Sequence, residues 1–128
     1  MTLTHVTSVR NTLADAVVDI IDTGSSNSTG KIRIQTSGDA TLVDIDLANP
    51  AFGAAASGTA TALGVPHEGT AGATGTAAKF RVLDRDDGEI FQGTVTVSAG
   101  GGDMELSSVS ITTSDVVRIN SFTYSASA

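Results

Sequence analysis

Residues 76–97 constrain the fold of this chain more than any other stretch. They read as two strands joined at Asp86, Asp87 and Gly88. Before the turn, Phe80 and Val82 point one way and Lys79 and Arg81 the other. After it, Phe91, Val95 and Val97 alternate with Gln92, Thr94 and Thr96. That period of two marks a sheet with one buried and one wet face. Asp-Gly supplies two positions that tolerate positive φ, so the spacing predicts a tight primed turn that also pins the register. The rest of the chain has to cover Phe80, Val82, Phe91, Val95 and Val97.

The material for that cover is small. Of 128 residues, Ala, Gly, Ser and Thr supply 63, whereas Leu, Ile, Val and Phe supply 31. One domain spanning residues 1–128 therefore has a thin core, and burial against copies of itself or a partner is the expected remedy. Fourteen acidic and seven basic residues give a net charge of −7, and the basic ones are scattered. This disfavours nucleic acid and anionic membrane as partners. The absence of cysteine excludes a disulfide-stapled scaffold and a thiolate metal site. The first ten residues lack the n-region and h-region of a signal peptide, and the run Ala16-Val17-Val18 stops at Asp19, so no membrane span is expected.

Residues 6–22 carry the helical pattern. Val6, Val9, Leu13, Ala16, Val17 and Ile20 fall on one stripe, which is expected to face the sheets, with Thr7 or Ser8 as N-cap and Gly24 as the stop. Ala14, Val18 and Ile21 widen the apolar arc, and this extra flank is the one available to a neighbouring subunit. Arg10, Asn11, Asp15, Asp19 and Asp22 form the polar remainder. A polar loop follows at 23–30; Gly30-Lys31 opens a strand rather than a helix, which excludes a phosphate-binding loop. A second hairpin pairs Lys31–Gln35 with Leu42–Leu47 around Ser37-Gly38-Asp39, with Ile32 and Ile34 facing Val43, Ile45 and Leu47. Its wet face sets Lys31 and Arg33 against Asp44 and Asp46.

Residues 53–78 are almost entirely Gly, Ala, Ser and Thr, with Leu63, Val65 and Pro66 the only larger apolar side chains. The absence of strong periodicity predicts either a surface loop, tipped by 64–69, or an extended arm that docks on a neighbouring protein; within it 54–63 can form an extended strand of small residues, Ala56, Gly58, Ala60 and Ala62 alternating with Ser57, Thr59, Thr61 and Leu63. Its candidate contacts are Ala60, Leu63, Val65 and His67, joined by Val18 and Ile21 of the helix flank. Further on, Met104 and Leu106 share a strand face, Val109 and Ile111 form another strand, and the last begins at Val116. There Val117 and Ile119 are out of phase with Phe122 and Tyr124, which calls for a bulge or a change of face near Asn120-Ser121. About eight strands with one N-terminal α-helix predict a mainly β fold, a jelly-roll-like two-sheet antiparallel β-sandwich.

No catalytic constellation emerges. His5 and His67 stand apart from any nucleophile motif, and no Gly-x-Ser-x-Gly elbow occurs. Asp84, Asp86, Asp87 and Glu89 place their glycine and acidic residues wrongly for an EF-hand loop, and a hairpin tip is the expected role. No enzyme activity, cofactor or metal is therefore expected.

Three strings resemble small bacteriophage virion proteins: residues 9–19 (VRNTLADAVVD), 49–55 (NPAFGAA) and 74–82 (TGTAAKFRV). Ser121-Phe122-Thr123 fits as well, and the resemblance covers most of the chain outside 63–72. It implies a phage structural component of the decoration or cement type, made in the host cytoplasm and bound to the head surface of the virion. Such a protein grips the major capsid protein where capsid subunits meet, commonly as a homotrimer. The alternative is a tail or head-to-tail structural component. A carbohydrate- or calcium-binding module is a further class, resting on the fold type and the Asp84–Glu89 cluster. On this reading, deleting 54–72 spares the fold and abolishes capsid binding.

Overall fold

The computed structural model describes residues 6–97, 99–119 and 121–125. The chain runs α1 (Thr7–Ile20), β1 (Lys31–Gln35), β2 (Thr41–Asp46), β3 (Thr59–Thr61), β4 (His67–Thr70), β5 (Gly75–Thr76) and β6 (Lys79–Leu83). It continues through β7 (Glu89–Val97), β8 (Met104–Leu106), β9 (Ser110–Ile111), β10 (Val116–Ile119) and β11 (Thr123–Ser125). The fold is mainly β with one helix, as expected. Its strands are arranged differently from a two-sheet sandwich of eight. One five-stranded sheet has the order β2-β1-β6-β7-β8, and three two-stranded sheets, β10-β4, β11-β3 and β5-β9, stand around it.

The two sequence-legible hairpins build the main sheet. β1 pairs antiparallel with β2, setting Ile32 opposite Ile45, Arg33 opposite Asp44 and Ile34 opposite Val43. β6 joins the other side of β1, with Phe80 opposite Ile34 and Val82 opposite Ile32. Ile32, Ile34, Val43, Ile45, Phe80 and Val82 are all buried on the resulting core. The wet face is a ladder of ion pairs. Arg33 holds Asp44 at 2.8 Å, Arg81 reaches Glu89 at 3.2 Å and Asp39 at 3.3 Å, and Lys79 also meets Asp39. Lys31 pairs with Asp87 at 3.0 Å rather than with Asp46 opposite it.

The turn between β6 and β7 is longer than a two-residue primed turn. Among residues 84–88 only Asp87 has positive φ, at 64°, and the ladder bulges between Val82 and Leu83. The loop is held by Asp84, whose Oδ1 accepts the N–H groups of Asp86 and Gly88 at 2.9 and 2.8 Å. Beyond it Val95 is buried, but Val97 is 47% exposed, against the expectation that it lines the core. Gly93 stands opposite Phe80, and a Cβ there would meet the Phe80 ring at 2.6 Å. β8 then joins β7 in parallel, so the sheet is mixed rather than wholly antiparallel. Met104 and Leu106 are buried on one face as the alternation predicts.

The polar loop at 23–30 is clamped to this turn. Asp86 Oδ1 accepts the backbone N–H groups of Ser25 and Ser26, each at 2.9 Å. Arg85 and Asn27 exchange further bonds: Asn27 N–H donates to the Arg85 carbonyl, and Arg85 Nε to the Asn27 carbonyl at 2.7 Å. The two amides from Ser25 and Ser26 favour the charged carboxylate and hold Asp86 below its ordinary value. A carboxylate with a depressed folded value contributes stability that is present above the unfolded pKa and is lost as pH falls through the folded one. Asp86→Ala is therefore expected to speed hydrogen exchange of the Ser25 and Ser26 amides at neutral pH. It should also flatten the acid limb of the stability curve below about pH 4. Unchanged exchange at both amides would refute the clamp.

Residues 53–78, expected to form an arm or loop, are built into the domain. Phe52 bridges Ala62, Gly53 N–H donates to the Thr61 carbonyl at 3.0 Å, and Leu63 N–H to Ala51 at 2.9 Å. Ala56 and Thr59 exchange both backbone bonds across Ser57 and Gly58, whose φ values are 52° and 78°. A primed turn thus sits at Ser57-Gly58. Ala60, Ala62, Ala71 and Ala77 are core residues, and their small side chains allow backbone to pack directly on backbone. Gly69 shows how close that packing is: a Cβ there would come within 2.9 Å of both Val43 and Ile45.

All four phenylalanines and the tyrosine meet in one cluster. Phe122 is its hub, 5.8 Å from Phe52, 5.7 Å from Phe80 in an edge-on contact, and 6.4 Å from Phe91; Tyr124 lies 5.1 Å from Phe91. The phase change expected near Asn120-Ser121 is made by a change of sheet. β10 pairs with β4, whereas β11 pairs with β3. Asn120 and His5 lie outside the described residues.

Candidate interaction surface

Helix α1 sits on the domain the other way round from the amphipathic expectation. Ala14, Val18 and Ile21 are buried at 0%, 1% and 0% exposure. The stripe expected to face the sheets looks outward instead. Val6 is 68% exposed, Val9 42%, Leu13 41% and Ile20 45%; Ala16 is also exposed and Val17 half-buried.

The polar groups explain the inversion. Asn11 Oδ1 accepts the Gly58 N–H at 2.7 Å, Asp15 Oδ1 the Ala55 N–H at 2.7 Å, and Asp22 Oδ1 the Ala51 N–H at 2.9 Å. Backbone donors of the small-residue hairpin need acceptors once they are covered, and these three side chains on the inner side of the helix supply them. Burial pushes the Asp22 carboxyl up from its ordinary value, partly offset by the Ala51 N–H. Gly58 is required at the same contact. Its φ is positive, and a Cβ there would lie 2.7 Å from the Arg10 guanidinium. The N-cap position is taken by Val6, with no side-chain hydrogen bond, so neither Thr7 nor Ser8 caps the helix.

Three of the six candidate contact residues are consequently withdrawn from any partner. Val18, Ile21 and Ala60 are core side chains. Leu63, at 42% exposure, and the half-buried Val65 and His67 stay near the surface around Gly64. The His67 ring meets the Leu63 carbonyl through Nε2 at 2.8 Å, which folds this loop back on itself. Val97 and Val116 are further exposed aliphatic side chains.

A cleft of about 600 Å³ separates β8 from β10 and the start of β11, floored by Met104, Leu106, Ile119 and Phe122. Its charged rim is occupied within the chain. Asp103 accepts from Thr94, Glu105 from the Ala99 and Gly101 amides, and Glu68 from Arg118. No group of His, Cys, Asp or Glu able to hold a metal occurs among the described residues; in the Asp84–Glu89 turn, Asp84 is engaged by the Asp86 and Gly88 amides. No described helix is long and apolar enough to cross a membrane.

The four large aliphatic side chains left outward on α1 together amount to about two whole side chains in water, a burial worth about 3–6 kcal/mol. Set against protein-family models, curated proteins and solved structures, the chain matches none of them.

Proposed function

We propose that this protein is a structural component of a bacteriophage virion, a decoration protein that binds the outer surface of the head as a homo-oligomer. There it stabilises contacts between subunits of the major capsid protein. The observation that carries this reading is the outward aliphatic row of α1, surface that only assembly can bury. It joins the resemblance of residues 9–19, 49–55 and 74–82 to small virion proteins. The ion-paired wet face of the main sheet, where Lys31, Arg33, Lys79 and Arg81 meet Asp87, Asp44, Asp39 and Glu89, suits a body standing in solvent while another surface adheres. Area buried only in the assembled shell stabilises the shell by mass action, without any reaction.

The test is to add the purified protein to capsids that lack it, sediment the particles, and image them by cryo-electron microscopy. Saturable co-sedimentation, with density of this fold on the head at three-fold or quasi-three-fold positions, is the expected result. Density confined to the tail would replace this reading with the tail-component one, and no binding at all would remove the virion role.

A further inference from the structure

We propose that the cleft between β8 and β10 is a strand-acceptor groove. Its occupant is an extended segment of a partner protein, about six residues long, in which aliphatic side chains alternate with lysine or arginine. The strands of this chain form a ring that is open at one place. β2, β1, β6, β7 and β8 follow one another in the main sheet, and β10 pairs with β4. β4 in turn lies along the outer edge of β2: Gly72 N–H donates to the Leu42 carbonyl at 2.9 Å, and a Cβ on Gly69 would meet the Asp44 carbonyl oxygen at 2.5 Å. The remaining gap separates β8 from β10, and each of these strands is paired on its other side alone. Unpaired backbone edges therefore face the gap from both sides, and such edges are templates to which an extended chain adds.

The shape and charge of the gap suit that occupant. The cleft of about 600 Å³ continues past Leu106, Ser107 and Arg118 into a second hollow of about 340 Å³ beside Ile111, Val116 and Val117. In the first hollow 102–107 lies across from 118–123, and in the second 106–111 lies across from 115–118. The two strands thus run in opposite directions, and the groove follows β10 from end to end. Six extended residues span about 20 Å, enough to line that edge. Met104, Leu106, Ile119 and Phe122 on the floor receive every second side chain of such a segment, and the others point out to the rim. That rim is acidic. Asp103, Glu105 and Asp115 bond only neutral amides and the Thr94 hydroxyl, which leaves their charges uncompensated. Arg118, the one cation among the lining residues, is taken up by Glu68. Basic side chains complement this rim. Neither β8 nor β10 carries the lysine or proline that blunts an open edge.

Amide-resolved NMR of the purified 128-residue protein tests the groove with no capsid present, so its outcome is separate from that of the virion reading. The probe is the end-capped hexapeptide Lys-Val-Lys-Val-Lys-Val. Saturable binding with a Kd below about 1 mM is expected, with shifts centred on β8 and β10 and slowed hydrogen exchange in both strands. The acidic counterpart, Glu-Val-Glu-Val-Glu-Val, should bind at least about tenfold more weakly. Val116→Lys, at a side chain 61% exposed beside the second hollow, sets a like charge on the open edge. It is expected to weaken the basic peptide about tenfold with an unchanged far-UV circular dichroism spectrum. No saturable binding, equal affinity for both peptides, protection of one strand alone, or a Val116→Lys variant that binds like the wild type would overturn the proposal. Slow exchange along the facing edges of both strands before any peptide is added would also overturn it, and would give the groove to a segment of this chain.

Discussion

Deleting residues 54–72 is expected to unfold the domain. The segment carries β3 and β4, the partners of β11 and β10, and removes Ala60, Ala62 and Ala71 from the core. It also removes the Ala55 and Gly58 amides on which Asp15 and Asn11 rest, leaving two buried-side acceptors of α1 without their donors. Losses of this kind each cost on the order of 1–3 kcal/mol, and a domain of this size has about 5–15 kcal/mol in all. Circular dichroism melts and amide dispersion in a proton–nitrogen correlation spectrum would check the result. A truncated chain that still melts cooperatively would show the segment to be an appendage after all. Capsid contacts in this region are therefore better probed by Leu63→Ser, whose side chain is 42% exposed, than by deletion.

Phe122→Ala, at a half-buried ring packed on the core, is expected to cost about 3 kcal/mol, the low end of the range for a buried phenylalanine. The ring touches Phe80 and Phe91 of the main sheet and Phe52 beside β3. Each aromatic pair contributes about 0.5–1.5 kcal/mol beyond area burial. More than the total, the distribution of the effect is diagnostic. Phe122 ties β11, β3 and the helix upon them to the five-stranded sheet, so its loss should raise hydrogen exchange in β3, β11 and α1 more than in β1 and β6. Chemical denaturation would give the total and exchange the distribution. A cost under about 1 kcal/mol, the range of an ordinary surface change, would mean that the cluster does not join the two parts.

Legibility along the chain followed side-chain size. Where large aliphatic residues alternate with charged ones, as in Lys31–Gln35, Leu42–Asp46 and Lys79–Leu83, strands and the two hairpin pairings could be read directly, with Lys31 and Arg33 set across from Asp44 and Asp46. Where the residues are small, the pattern carried almost no hydrophobic signal: the strand at 59–61 lies within the extended stretch expected over 54–63, but the turn at Ser57-Gly58 and the strands at 67–70 and 75–76 were missed. One local cue was available there: Ser57-Gly58 is a turn dipeptide, and it hosts the primed turn that Asp87-Gly88 does not. The candidate surface was misassigned for a different reason. Val18 and Ile21 looked spare because α1 is apolar around most of its circumference, and periodicity alone does not say which arc of such a helix faces inward.

The sequence by itself determined that the protein is mainly β with a single N-terminal helix, that two hairpins lie at its centre, and that their wet face sets basic residues against acidic ones. These are consequences of period, turn chemistry and charge, all of which act between near neighbours. Only the tertiary structure decided which face of α1 is buried, that β8 runs parallel to β7, and that the small-residue stretch sends Ala60, Ala62, Ala71 and Ala77 into the core. The helix orientation was set by the Ala51, Ala55 and Gly58 amides, which needed Asp22, Asp15 and Asn11 as acceptors. Hydrogen bonds between residues some 30 to 50 positions apart outweighed the helix's own amphipathic stripe, and they left Val6, Val9, Leu13 and Ile20 facing outward.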